Sequence, residues 1–302
     1  MKHCILQFKP LTFEDAGTIK PFLAGSGSRS CDYSLGGLLM WIGCFGYEYC
    51  IHEDTLFIKG RMGGDSPREA FSLPIGRLSL PEAVSLLRSY CRCAGRLLEF
   101  SAIPCERIDE FRGLNPLAIG LMRHYSDYLY DIREMATYAG KRMAKKRNHQ
   151  NRFMRDNPDW RVEEIGAENI ALVKECFRRI CEMEPADSAM QAYEREQVTH
   201  VLERPELYGF ESLCLFAGGE VVAFTFGEVV GDTLHDHIEK MRRDVAGSGE
   251  TVFSRFSAAM LEKYPHLNYV NREDDAGDIG LQRSKLSYNP VMMIDKYNVL
   301  FE

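Results

Sequence analysis

One order of elements runs through this chain twice, and no other feature restricts its fold so tightly. Each half reads strand, two helices, three-strand meander, helix, strand, short helix, strand. In the first half, Cys4 to Phe8 is strand-like, and Thr12 fits a helix N-cap with Asp15 three residues on. Ser34 to Phe45 fits a second helix, although Gly36 and Gly37 weaken it by about 1 kcal/mol each relative to alanine. Tyr47 to His52 and Leu56 to Lys59 read as a hairpin around Glu53-Asp54, and Ala70 to Ile75 as the third strand. Ser79, Pro81 and Glu82 form a helix-start signature, with a reciprocal cap and a proline where no N–H is needed. Leu97 to Ala102 is a strand, Cys105 to Phe111 a short helix, and Tyr125 to Ile132 a closing strand.

The same order resumes at Trp160 to Ile165. Helices follow over Glu168 to Met183 and Ser188 to Leu202. Glu211 to Phe216, Val221 to Val230 and Thr233 to Lys240 form a meander that turns at Gly218-Gly219 and Gly231-Asp232. Thr251 to Tyr264 carries Val252, Phe256, Ala259 and Met260 on one helical face. Asn268 to Asn271, Ile279 to Leu286 and Val291 to Leu300 complete the set as strand, short helix and strand.

A length of 302 residues exceeds the ~250–300 at which one hydrophobic core stops growing. Two domains are therefore expected, over residues 1–132 and 159–302, joined by a basic linker helix over 133–158. With 45% apolar and 27% charged residues the composition is globular. The longest apolar stretch, Leu35 to Phe45, is shorter than the ~20 residues that a bilayer requires. The N-terminus lacks an apolar signal core, so a cytoplasmic protein without a membrane span is expected. The ten cysteines show no zinc-ligand spacing beyond the lone pair Cys91 and Cys93, so no metal site is expected. A net charge of −7 argues against a general polyanion-binding surface. Yet Lys141, Arg142, Lys145, Lys146, Arg147, Arg152 and Arg155 follow one another with no acid between them. Such a block reads either as a local phosphate site or as a solvated linker face. On one continuous helix, Lys141, Lys145 and Arg152 would share a side, with Met135, Ala139 and Met143 on another.

Certain residues carry a closer likeness. They are Gly140-Lys141, Lys146-Arg147-Asn148-His149, Asn151-Arg152-Phe153, Ala223-Phe224, Gly227-Glu228, His237-Ile238-Glu239-Lys240, Asn271-Arg272-Glu273-Asp274 and Lys285-Leu286-Ser287-Tyr288-Asn289-Pro290. With the element order, they resemble the C-terminal domain of phosphatidylglycerol lysyltransferase, its bacterial relatives and the Fem-type aminoacyl transferases. The resemblance implies an α+β (mixed α/β) protein of two tandem GNAT-like domains, each a mixed sheet flanked by helices. It also implies a sheet that splays between its fourth and fifth strands to seat an acyl donor.

Several polar groups fall where that cleft is expected. His235, His237 and Glu239 alternate, so a regular strand would project all three to one side. His237 or Glu239 could then accept a proton from an attacking amine or hydroxyl; the alternative is a solvated, ion-paired face with Lys240. Asn271, Arg272, Glu273 and Asp274 follow the strand bordering the cleft, at the carboxyl end where α/β sheets bind ligands. Arg272 could hold a carboxylate or phosphate, with Asn271 and Lys240 as further substrate contacts, and Glu273 or Asp274 could act as base. Lys285 and Tyr288, one helical turn apart, could stabilise negative charge and protonate a leaving oxygen. Each group could equally be a structural ion pair or a buried structural pair. Lys141, Lys145, Lys146, Arg147 and Arg152 are the candidates for donor phosphates.

Acyltransferases of this fold that use coenzyme A carry Arg or Gln, two residues, Gly, one residue, and Gly or Ala before a helix. Here the stretch is Asp244-Val245-Ala246-Gly247-Ser248-Gly249, with an acid in the leading position and Glu250 close behind. Three functions are therefore expected, in this order. The first is transfer from aminoacyl-tRNA to an amine or hydroxyl, with a small molecule or lipid headgroup as acceptor. The second is acyl-coenzyme A-dependent N-acylation, and the third a non-catalytic RNA- or phosphate-binding module. None requires a tightly bound cofactor.

Overall fold

The computed structural model describes residues 5–62 and 68–302. The chain divides into two compact units, each with its own sheet.

The first unit opens with β1 (Lys9–Pro10) and α1 (Ala16–Ala24), which a single 3-10 turn, Phe13–Asp15, precedes. The strand expected from Cys4 is thus shorter and later; Cys4 itself lies outside the described residues. Thr12 and Asp15 cap one another as expected. In α2 (Leu35–Phe45) the Ser34 hydroxyl accepts the Gly37 N–H. A Cβ on Gly37 would lie 2.3 Å from the Cys31 carbonyl oxygen, so this glycine serves close packing at the cost of helix propensity. β2 (Glu48–His52) and β3 (Thr55–Arg61) form the expected hairpin, with Glu53 and Asp54 both in the left-handed region. The third strand divides into β4 (Glu69–Phe71), against the end of β3, and β5 (Ile75–Gly76), against its start. The Ser79–Glu82 capping box opens α3 (Leu80–Cys93). β6 (Leu98–Pro104) and α4 (Ile108–Arg112) follow, then β7 (Ala118–Leu121), a strand obscured by Pro116 and Gly120.

The second unit begins at Tyr128, within β8 (Asp127–Asp131), and is continued by α5 (Ile132–Thr137) and α6 (Ala144–Asp156). The single linker helix expected over 133–158 is broken, because Tyr138 and Gly140 both take positive φ. Arg147 fastens the break by donating to the carbonyls of Tyr138 and Gly140 at 2.6 and 3.0 Å. Lys141 therefore sits in a turn and shares no helix with Lys145. Then come β9 (Arg161–Glu163), α7 (Ile170–Met183), α8 (Ala189–Glu203), β10 (Glu211–Ala217), β11 (Glu220–Val230) and β12 (Thr233–Met241). They lead to α9 (Ser248–Lys263), β13 (Tyr269–Asn271), α10 (Ile279–Leu286) and β14 (Met292–Ile294). The sheet order is β14-β8-β13-β12-β11-β10-β9. Its core packs Phe253, Phe256 and Met260 of α9 with Tyr128, Tyr130, Leu234, Val270 and Tyr288.

The last strand, β15 (Lys296–Phe301), returns to the first sheet, between β6 and β7. The two sheets thus exchange strands. The segment expected to close the first half, β8, sits between β13 and β14 of the second sheet, and the final expected strand splits at Asp295. The units are accordingly not the contiguous stretches 1–132 and 159–302; alternation marks a strand but not its neighbour. No helix among the described residues is long and apolar enough to cross a membrane.

One irregularity positions the site. Phe226 faces Ile238, but Gly227 faces Asp236, which leaves His237 as an extra residue in β12. This β-bulge inverts the alternation. His235 and His237 keep one face, their rings stacked at 6.0 Å, while Glu239 moves to the other face with Asp236. His235, His237 and Glu239 are therefore not on one side, contrary to the expectation from a regular strand. Gly227 accommodates the bulge, since a Cβ there would lie 2.4 Å from the His235 carbonyl oxygen. Gly227→Ala should lower unfolding free energy by about 1–3 kcal/mol in urea titrations. Gly17→Ala, in α1 with open space around it, should be neutral or stabilising.

Candidate functional site

β12 and β13 pair in parallel through Thr233–Tyr269, Leu234–Val270 and His235–Asn271. There β13 ends, while β12 continues to Met241, so the sheet parts at this point. The chain leaving β13 is pinned on all sides. Asn271 Oδ1 accepts the Glu273 N–H at 2.7 Å, Lys285 Nζ donates to the Arg272 carbonyl at 2.5 Å, and Tyr128 N–H donates to the Glu273 carbonyl at 3.1 Å. Glu273 takes φ +58° in this turn. As a result the consecutive side chains of Arg272 and Glu273 reach opposite faces of β12. Asn271 and Lys285, expected in substrate binding and catalysis, hold backbone here.

On the α8 side, His237 bridges two carboxylates across the parting. Nδ1 lies 2.7 Å from Glu273 Oε1 and Nε2 lies 3.0 Å from Glu228 Oε1, with Phe210 packed against the ring. Burial alone would lower the pKa of His237, but the two carboxylates overcome this and raise it to about 10. An imidazolium that persists to such pH accepts no proton near neutrality. His237 is an ionic latch, which corrects its expected role as a base. Lys240 on this side pairs with Glu194 of α8 at 2.6 Å.

On the α9 side, the Arg272 side chain, 12% exposed, lies over the rings of Phe253 and Tyr288, at 4.1 and 4.7 Å from their centroids. Its Nη2 donates to Glu239 at 2.7 Å, and its Nε lies 3.8 Å from Asp236 Oδ2. Thr225 donates to the other Asp236 oxygen at 2.7 Å. Arg272 Nη1 and Asp236 Oδ2 are both buried and lack a hydrogen-bond partner among the described residues. Burial first, and Glu239 second, push the Asp236 pKa up to about 8 against the pull of Arg272. Burial likewise raises Tyr288, so its phenol stays neutral. Asp236 was invisible to sequence reasoning, because a regular strand would have turned it away from Glu239.

The basic block does not form one cluster. Lys141, Lys145 and Arg152 are exposed, with Arg152 paired to Asp156 at 3.4 Å. Lys146 turns inward, 3.6 Å from the Tyr288 ring centroid and 3.5 Å from Glu250, and burial lowers its pKa. Arg147 is spent on the turn described above. Asp274 belongs to the first unit, where its carboxylate accepts the Ala276 N–H at 2.9 Å. That unit also gathers ligand-type atoms from Cys31, Asp32 and Asp127 within 4.8 Å of one another. Lys296 Nζ already stands among them, 2.5 Å from Asp32, 2.7 Å from Asp127 and 3.4 Å from Cys31 Sγ.

Two mixed sheets with flanking helices, one of them parting beside a β-bulge, define the tandem GNAT-like acyltransferase fold. Solved structures agree. L-PGS from Bacillus licheniformis superposes with TM-score 0.64 at 15% identity, over 94% of this chain and 91% of its own. FemX gives 0.60 at 8%, over 96% of each chain. At those identities the likeness is one of fold. A conserved protein of unknown function from Bacteroides thetaiotaomicron reaches TM-score 0.90 at 27% identity, over 99% of this chain and 100% of that one. An uncharacterised protein of Mycoplasmoides gallisepticum is 23% identical over 180 residues, and the match spans only 56% of that relative's length. The chain belongs to the family of the phosphatidylglycerol lysyltransferase C-terminal domain, which matches residues 24–300. Family and fold are those of aminoacyl and acyl transferases.

Both raised pKa values act on stability in one direction. A group whose pKa rises on folding stabilises fully below its unfolded pKa, about 6.5 for histidine and about 3.9 for aspartate. That contribution is lost as pH climbs through the folded value, about 8 for Asp236 and about 10 for His237. Thermal melts should therefore show the melting temperature falling from neutrality through about pH 10. Glu273→Gln should move the upper part of that fall to lower pH.

Proposed function

We propose that the second unit moves an aminoacyl group from aminoacyl-tRNA to a hydroxyl or amine acceptor, using Asp236, Glu239 and Arg272. The observation that carries this reading is that Arg272 Nη1 and Asp236 Oδ2, on side chains that approach to 3.8 Å through Nε, are both buried without a hydrogen-bond partner among the described residues where the sheet parts. One is a charged donor and the other an acceptor, and an attacking O–H or N–H beside an ester carbonyl satisfies both. As the acceptor oxygen or nitrogen bonds to the carbonyl carbon, Asp236 takes its proton and Arg272 Nη1 donates to the developing oxyanion. Collapse breaks the ester C–O bond, and the departing tRNA hydroxyl recovers the proton. An aminoacyl ester is already activated, so positioning and a base of modest strength are sufficient. The Glu239 carboxylate, next after burial, raises the Asp236 pKa and so strengthens it as a base. Tyr288 and Phe253 support the guanidinium.

The tRNA donor is supported by family membership and by exposed Lys141, Lys145 and Arg152, which suit a phosphate backbone. The acceptor named for the family is phosphatidylglycerol; for this chain a lipid headgroup and a small polar molecule share the needed chemistry.

Incubation with mixed charged tRNA should release free amino acid, or transfer it to an added acceptor. The rate should rise with pH to a plateau above about 8, as expected of a base that must be ionised. Asp236→Asn should cost about 10²–10⁴ in kcat and remove the pH limb. Lys145→Glu with Arg152→Glu should raise KM and flatten the salt dependence while sparing kcat. Neither deacylation nor transfer at low salt would contradict the reading.

A further inference from the structure

Enzymes of this fold that take coenzyme A lay its diphosphate on the N–H groups at a helix start, and here that helix is α9. The residues present do not fit such a group. Asp244, in the position that should supply a positive or neutral donor, is held by Arg242 at 2.7 and 3.1 Å. Glu250 stands in the first turn of α9, where its carboxylate complements the positive helix end. Lys146 and His149 of α6 hold it at 3.5 and 3.2 Å.

Space is as restrictive as charge. A Cβ on Gly247 would lie 2.5 Å from the His149 carbonyl oxygen and 3.0 Å from Phe153 Cβ. Both neighbours belong to α6. A Cβ on Gly249 would lie 2.9 Å from Met241 Cε. Ser248, Gly249 and Thr251 are buried. The two glycines that suggest a phosphate cradle in the sequence are thus explained by close approach of this chain to itself. The His149 carbonyl and the paired Glu250 carboxylate crowd the start of α9 with negative partial and full charge, which a diphosphate would have to displace.

We propose that α6 is a built-in occupant of the diphosphate site, so that acyl-coenzyme A is excluded as donor and donor phosphates meet the outer side of α6, at Lys145 and Arg152. The proposal refines the donor half of the transferase reading; its test is binding alone, so the chemistry at Asp236 can fail while this stands, and the reverse.

Calorimetry on the full chain should show no saturable heat with coenzyme A or acetyl-coenzyme A up to about 1 mM. Unacylated tRNA should bind, and Lys145→Glu with Arg152→Glu should weaken it at least tenfold. Hydrogen exchange at residues 247–251 separates the remaining outcomes. Saturable coenzyme A binding that protects those amides would overturn the proposal. Binding that leaves their exchange unchanged and disappears in the Lys145→Glu, Arg152→Glu variant would support it, since coenzyme A would then act as a polyanion on the outer face. Binding of tRNA unaffected by that variant would overturn the assignment of donor phosphates to this face.

Discussion

A guanidinium buried among aromatic rings is costly unless opposite charge lies within reach, and Arg272 imposes that requirement on the second sheet. Glu239 and Asp236 meet it, but three residues apart on a regular strand they would face opposite ways. The bulge at His237 brings them together, Gly227 gives the bulge room, and the turn held by Asn271 and Lys285 aims Arg272 at them. The same bulge leaves His237 on the far face, where Glu228 and Glu273 must neutralise it in turn. Two ion pairs on opposite faces thus bridge the parting of β12 and β13.

The first unit also buries a cation, with a different result. Lys296 has carboxylates at 2.5 and 2.7 Å and a thiol at 3.4 Å, and its charge is locked in place. Asp127 is itself tied to the Cys31 N–H at 2.8 Å. In the second unit Thr225 and Glu239 satisfy only part of the cluster, leaving one donor and one acceptor atom open. That difference is why the chemistry is assigned to the second unit.

Local signals in the sequence were reliable where the interaction is itself local. Ser79 with Glu82, Thr12 with Asp15, and Glu53-Asp54 in the hairpin depend on neighbours within four residues. Arg272 was also legible, as a polar residue following the strand that borders the cleft, and Glu239 as one of the polar residues alternating along its neighbour. The exchange of β8 and β15 was not, since strand pairing across more than a hundred residues leaves no trace in alternation. Asp236 was missed for a related reason: one inserted residue reverses the facing of all that follows. The basic run was overvalued, because Lys146 and Arg147 look like their neighbours in sequence yet serve Tyr288 and the carbonyls of Tyr138 and Gly140.

The proposed transfer depends on Asp236 being a buried carboxyl poised near neutrality beside Arg272. Carbon-13 NMR of side-chain carboxyls, with Asp236 assigned by its loss in Asp236→Asn, measures this directly. A base of this kind should titrate at about 8. Titration of that resonance in the ordinary aspartate range, near about 4, would contradict it.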